Sequence, residues 1–238
     1  LLDRLDRSYR AQTRFTAEAA HELRTPVTAM LGELDVTLRS PRSAEAYQEV
    51  LASLREDVLR LRQLVEGLTA LTRVDASDVA RSPELTRAGE VASNALAAEA
   101  ATLRAAGNTV TMQLEDDPEI EANRSLVEAA LGNLLRNAAR HAPGREVVLR
   151  VARRAGFAEF IVDDAGPGVE EAEREVLFDR FVRGGRAREL DRQGLGLGLA
   201  ITREVARRHG GDCVLERSPL GGLRARLTLR LPAPLSDV

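Results

Sequence analysis

The chain has 238 residues with 34 basic and 37 acidic side chains, a formal net charge of −3, and both signs mixed along its length, which leaves no electrostatic footprint for nucleic acid. It is 44% hydrophobic, yet no apolar run approaches the roughly 18 residues of a membrane span, so the segment reads as soluble, with room for one large domain or two smaller ones. The single cysteine, Cys213, excludes an intrachain disulfide framework, and every basic residue is arginine, which excludes Schiff-base lysines and lysine phosphate loops.

From Leu1 to about Arg39 the apolar residues recur at helical spacing, with Leu23, Val27, Met30, Leu31, Leu34 and Leu38 on one stripe. Ser40-Pro41-Arg42-Ser43 interrupts it, and Pro41 is placed to be the first residue of a new helical turn. A second stripe runs from Tyr47 and Val50 through Leu54, Val58 and Leu61 to Leu71. Two long amphipathic helices joined by a short turn form an antiparallel hairpin. A lone hairpin leaves a wide apolar face wet, whereas two hairpins pairing as a four-helix bundle bury both. The expectation is a homodimer through residues 1–75.

Residues 76–83 read as a linker, and residues 84–238 as a second domain. Within it a helix is predicted near 87–106, a strand over 109–115, a short segment at 119–122 and a helix over 124–140. Strands follow at 146–153 and 157–163, with a helix start near Glu170 to Leu177, a Gly/Arg-rich stretch at 179–194, a helix over 197–209, and strands at 212–217 and 223–231. This order predicts an α+β sandwich, a mixed sheet covered by helices on one face. Cys213 falls in a strand, where it reads as a small buried hydrophobe.

Three clusters carry chemistry. His21, in Ala20-His21-Glu22-Leu23-Arg24-Thr25-Pro26, lies off the first apolar stripe, so its imidazole should face solvent, where a neutral ring with a pKa of about 6.5 is a usable nucleophile. Glu22 beside it is suited to orient the ring or accept its proton, and Pro26 should bend the helix below it. Asn133, Asn137 and Arg140 project from nearly one face of a predicted helix, where an amide oxygen suits Mg²⁺ and an arginine suits phosphate. Asp164 ends a strand before Ala165-Gly166-Pro167-Gly168, and a carboxylate there can accept from an exocyclic amine. Gly194-Leu195-Gly196-Leu197-Gly198 opens a helix, whose free N–H groups attract phosphate; it fits neither a dinucleotide-binding fingerprint nor a Walker loop.

In this order the motifs resemble those of the sensor histidine kinases of two-component signalling, and the resemblance covers nearly the whole chain. It implies that His21 is the phosphorylated residue, with Glu22 as its catalytic partner. Thr25 matches a position that in relatives helps place water for dephosphorylating the partner, which implies a phosphatase activity as well. Asn133 to His141 resembles the N-box, assigning Asn137 to Mg²⁺ and Asn133 to the phosphates, with Arg140 where lysine is usual and His141 where an aromatic often stacks near adenine. Asp164, Gly166 and Gly168 match the G1 box, in which the aspartate reads the adenine amine. Gly194, Gly196, Leu197 and Gly198 match the G2 box, with Leu195 replacing the common Thr or Ser. Phe178-Asp179-Arg180-Phe181 resembles the F-box, and the stretch after it the lid, from which Arg183 or Arg188 would grip the γ-phosphate.

The implied activity is ATP- and Mg²⁺-dependent autophosphorylation on His21, followed by phosphotransfer to an Asp of a response-regulator receiver domain. The rivals are an ATPase or serine kinase of the same nucleotide-binding superfamily, and a non-catalytic docking module. The chain opens Leu1-Leu2-Asp3 without an initiator Met or signal peptide, which fits the cytoplasmic portion of a longer sensor protein with a membrane-anchored region upstream.

Overall fold

The computed structural model describes residues 19–20, 23–76, 83–182 and 196–232. It divides into two compact units, Leu1–Ala70 and Leu71–Val238.

The first unit is a helical hairpin. Its first helix, α1, covers residues 23–38, with 19 and 20 also helical, and helical structure continues through Pro26. The second, α2, runs Ala44–Ala76. Its start differs from the expected proline position. Pro41 lies upstream in irregular chain, and Ser43 caps the helix, its Oγ accepting from the Ala46 N–H at 3.2 Å. The hydroxyl satisfies a donor that a proline at the first helical position would merely have removed.

The two helices face each other through Ser53, whose Oγ donates to Glu33 Oε2 at 3.1 Å. The seam turned inward carries Ala19, Leu23, Pro26, Met30, Glu33 and Thr37, all buried or half-buried, at the alternating four and three spacing of a knobs-into-holes contact. A second apolar seam, Val27, Leu31, Leu34 and Leu38, stays exposed, and α2 matches it with Tyr47, Leu51, Val58 and Val65. The single apolar stripe read from the sequence therefore resolves into two. One closes the hairpin, and the other has no cover within it.

The second unit begins with β1 (Glu84–Arg87), a strand that periodicity did not indicate, paired antiparallel with β3 (Glu119–Ala122). Between them lie α3 (Ala88–Ala105) and β2 (Thr109–Leu114). The chain continues through α4 (Arg124–His141), β4 (Glu146–Arg154) and β5 (Phe157–Asp164). A four-residue helix, α5 (Glu171–Arg174), and a 3₁₀ turn (Val176–Phe178) stand where a longer helix start was expected. None of the α5 residues is buried, and a helix without an apolar face gains little from continuing. Last come α6 (Gly198–Arg208), β6 (Cys213–Arg217) and β7 (Leu223–Arg230).

The main sheet has the order β2-β4-β5-β7-β6, parallel only between β2 and β4. That parallel pair needs a crossover, which α4 supplies. Register sorts the two faces. Val147, Leu149 and Val151 of β4 stand opposite Asp164, Val162 and Phe160 of β5, and Phe160 and Val162 oppose Leu227 and Ala225 of β7. These side chains are buried and share the face on which α3, α4 and α6 pack. The opposite face carries charge rows. Arg224 pairs with Asp163, and Arg226 with Glu159 and Glu216. Cys213 is fully buried, as its strand position predicted.

Candidate functional site

Helix α4 is fastened at its N-terminal end. The Asn123 side chain caps its start by accepting from the Leu126 N–H at 3.3 Å, while the Asn123 N–H donates to His209 Nε2 at 3.1 Å. Its Val127, Ala130, Leu131, Leu134, Leu135 and Ala138 face is buried, which turns Asn133, Asn137 and His141, spaced by one turn each, to another side.

That row is bracketed. At one end Asn133 Nδ2 donates to the Gly198 carbonyl at 3.3 Å, tying α4 to the first turn of α6. Thr202, fully buried, reinforces the join, its Oγ1 lying 2.9 Å from the Gly198 carbonyl and 3.3 Å from that of Ala130. At the other end the His141 carbonyl lies 2.9 Å from where a Cβ on Gly166 would stand. Asn137 sits between, half-buried, and among the described residues no hydrogen-bond partner reaches its amide. Asn133 is further held by Arg136, whose Nη2 donates to Asn133 Oδ1 at 2.6 Å while its Nη1 pairs with Glu99. Arg140 and His141 are exposed.

Asp164 ends β5 on the helix-covered face and is 6% exposed. Its Oδ1 accepts from the Gly166 N–H at 2.8 Å and the Leu223 N–H at 3.1 Å. Burial raises its pKa above the ordinary aspartate value, against the two N–H bonds and the His141 charge that lower it and the Asp163 carboxylate that raises it further. One carboxylate oxygen, Oδ1, is thus fixed by backbone.

Glycine is required around this carboxylate. A Cβ on Gly166 would lie 2.9 Å from Asp164 Oδ1. Gly168 adopts φ +69°, the left-handed conformation that favours glycine. Gly222 is a site residue that motif reading missed. A Cβ there would overlap Asp164 Oδ1 and the Gly166 nitrogen. The available signal was the Gly221-Gly222 pair opening the last strand, but that marks only a turn.

Leu197 is buried and precedes α6, whose start has no side-chain cap. Gly196 has φ +66°, and its carbonyl accepts from the Phe181 N–H at 2.9 Å. Phe181 itself has φ +63°, a costly conformation for an aromatic residue that close surroundings must impose. Phe178 is buried beneath Arg203, whose guanidinium carbon sits 4.5 Å from the ring centroid. Arg203 is anchored in turn by Asp212 at 2.9 Å and by Glu175. The F-box and G2 segments are therefore brought together.

Of the sequence-predicted residues, Asn133, Asn137, His141, Asp164, Gly166, Gly168 and Gly198 line one continuous region, with Gly196, Leu197, Phe178 and Phe181 beside it. Thr25 is an exposed residue of α1, in the other unit. His21, Glu22, Arg183, Arg188 and Gly194 lie outside the described residues. Also among the described residues, no three His, Cys, Asp or Glu side chains converge as a metal cluster, and no helix is long and apolar enough to cross a membrane.

Two families match this chain. Residues 11–77 match the His Kinase A (phospho-acceptor) domain, and residues 122–234 match the histidine kinase-, DNA gyrase B-, and HSP90-like ATPase family. Sensor protein IrlS of Burkholderia pseudomallei is 36% identical over 242 residues, covering 98% of this chain and 50% of IrlS. The sensor-type histidine kinase PrrB of Mycobacterium tuberculosis is 37% identical over 222 residues, covering 92% of this chain and 48% of PrrB. The chain spans about half the length of these curated relatives. Among solved structures, a mycobacterial sensor histidine kinase, MprB, is 29% identical with a TM-score of 0.55, covering 63% of this chain and 100% of that one.

Proposed function

The chain belongs to the sensor histidine kinases of two-component signalling, and from that premise we propose that it transfers the γ-phosphoryl group of ATP to its own His21 and then to an Asp of a response-regulator receiver domain. Residues 1–75 form the dimerisation and phosphoacceptor domain, 76–83 the linker, and 84–238 the ATP-binding domain.

The observation that carries the reading is the bracketing of Asn137 between the Asn133–Gly198 join and the Asp164–Gly166 turn. Adenine lies against Asp164, whose free oxygen accepts from the exocyclic amine, and guanine offers only a carbonyl there. The phosphates extend along the Asn133, Asn137 and Arg140 face toward the uncapped start of α6. The half-buried, unpartnered Asn137 amide fits Mg²⁺, a hard cation that is commonly held by one or two protein oxygens plus substrate phosphates and needs no carboxylate cluster. When bound, Mg²⁺ neutralises phosphate charge. Arg183 or Arg188 balances the rest, and His21 attacks the γ-phosphorus in line while the bond to the bridging oxygen breaks, ADP leaves and Glu22 takes the ring proton.

Dimerisation is supported by the second apolar seam, exposed on both helices of the hairpin. Thr25 and Thr28 of α1 are exposed, and Thr25 positions a water in the reverse, phosphatase direction. In the same reading this segment works on the cytoplasmic side of a membrane, as part of a longer protein with a membrane-anchored sensor region upstream.

The test is incubation with γ-labelled ATP and Mg²⁺, scoring acid-labile, base-stable protein phosphate. Label lost in both His21→Ala and Asn137→Ala is the expected result. Acid-labile label that persists in His21→Ala would place the phosphoacceptor elsewhere, acid-stable, base-labile label would instead favour a serine kinase relative, and ATP hydrolysis without any protein label an ATPase.

A further inference from the structure

Asp163 and Asp164 are neighbours on β5, yet they serve opposite faces of the sheet. Asp164 points toward the helices and the adenine region. Asp163, 1% exposed, points to the charged face, where Arg224 grips it with two bonds, Nε at 2.8 Å and Nη2 at 2.9 Å. Such a fork-to-carboxylate pair fixes both distance and direction.

The place of this pair in the ladder gives it a consequence across the sheet. Asp163 and Arg224 are the last pair recorded between β5 and β7. In the same register the next would be Asp164 with Leu223, and there the pairing changes character: the Leu223 N–H donates to the Asp164 side chain. Gly222, against which Asp164 Oδ1 packs, follows at once, and the turn then closes through Ser218 N–H to Gly222 O at 2.9 Å.

We propose that Arg224 is a positioning residue for adenine recognition: by clamping Asp163 it fixes the end of β7, so that the Leu223 N–H and Gly222 hold Asp164 in the orientation that reads the base. The proposal rests on the reading of Asp164 as the adenine acceptor. Arg224 acts through the backbone and touches no nucleotide. Its side chain also offsets an acidic surround, since Glu216 is its ladder partner on β6 and Glu159 lies nearby. Without it, a buried carboxylate one residue from Asp164 has lost its counter-charge.

A purely structural ion pair and a positioning one differ in what they move. In the full chain, with autophosphorylation as the assay, Arg224→Gln is expected to raise the KM for ATP about tenfold, with kcat changed less than about twofold. It should also narrow the preference for ADP over GDP as competing inhibitors by a similar factor. Arg224→Lys, which keeps the charge but loses the fork, should fall between the two and decides the question if Arg224→Gln does not fold. Wild-type KM and wild-type ADP preference in a folded variant overturn the proposal. Asp164→Asn separates the two levels. If it leaves base preference intact, the adenine reading itself fails and the positioning role falls with it. If it abolishes the preference while Arg224 variants do not alter it, only the positioning role fails.

Discussion

Asn133 Nδ2 and the Gly198 carbonyl, 65 residues apart in sequence, are joined by a 3.3 Å hydrogen bond that ties the middle of α4 to the first turn of α6. The bond fastens the helix that carries the Asn137 amide to the uncapped start of α6, where the phosphates are proposed to lie. Asn133→Ala removes it and strands the Arg136 Nη2 bond as well. The core contact through Thr202 remains, so the fold should survive. The expected outcome is nucleotide affinity weakened about tenfold or more, with a stability loss of about 1 kcal/mol. Titration with a fluorescent ATP analogue, alongside urea unfolding, checks both. Unchanged affinity would remove Asn133 from the site.

Gly222 is the most sterically constrained residue beside Asp164. Any Cβ there overlaps Asp164 Oδ1, and both neighbours are backbone or a carboxylate fixed by backbone. Gly222→Ala must therefore displace the carboxylate. Overpacking of this kind costs about 1–3 kcal/mol, and the displaced carboxylate should weaken ATP binding by about tenfold or more. Gly221, with open space around its Cβ position but φ +95°, offers a control in which only backbone strain is added. Calorimetric titration of both variants with ATP should show the larger affinity loss at Gly222→Ala.

These two contacts mark what a sequence can and cannot convey. Apart from α5, the bounds of the expected helices and strands in the second unit fell within a residue or two of the observed ones, because β4 and β5 are long and apolar and α4 keeps a clear buried face. The strand β1 escaped because its four residues carry a single apolar side chain, Leu85, and that one is exposed. Its strand character comes from pairing with β3, which no local pattern encodes. The Asn, Asp and Gly motifs were legible as types, and the structure added their closeness. The Gly222 role depends on a contact with a residue 58 positions earlier, so a turn signal was all the chain could display. The two seams of the hairpin were likewise merged into one stripe, since periodicity reports which residues are apolar but not which partner covers each.

Cys213 gives a prediction independent of nucleotide. Burial, aided by the Asp212 carboxylate, pushes its thiol up to about 12, so the folded chain holds it as the neutral form. A raised pKa contributes stability below the unfolded value of about 8.5, and that contribution is lost as pH climbs through the folded value. Wild type should therefore lose stability relative to Cys213→Ala between roughly pH 9 and 12. At pH 8 a thiolate-directed alkylating reagent should label the folded chain at least about a hundredfold more slowly than the urea-unfolded chain. Fast labelling of folded protein would show that the thiol is neither buried nor neutral.

The exposed seam of the hairpin can be tested apart from catalysis. Leu51 is 64% exposed and Leu31 55%, so neither contributes much to the hairpin's own interior, and an acidic side chain at either position costs the isolated unit little. If that seam is where two chains meet, the same change places an unpaired charge in a desolvated interface, a loss of several kcal/mol of association. The chain mass is 25.9 kDa. Sedimentation equilibrium should give twice that mass for wild type and the single-chain mass for Leu51→Glu, with ATP-analogue binding preserved because the nucleotide region belongs to the other unit. A wild-type chain at the single-chain mass, or a Leu51→Glu variant that still pairs, would move the dimer contact elsewhere.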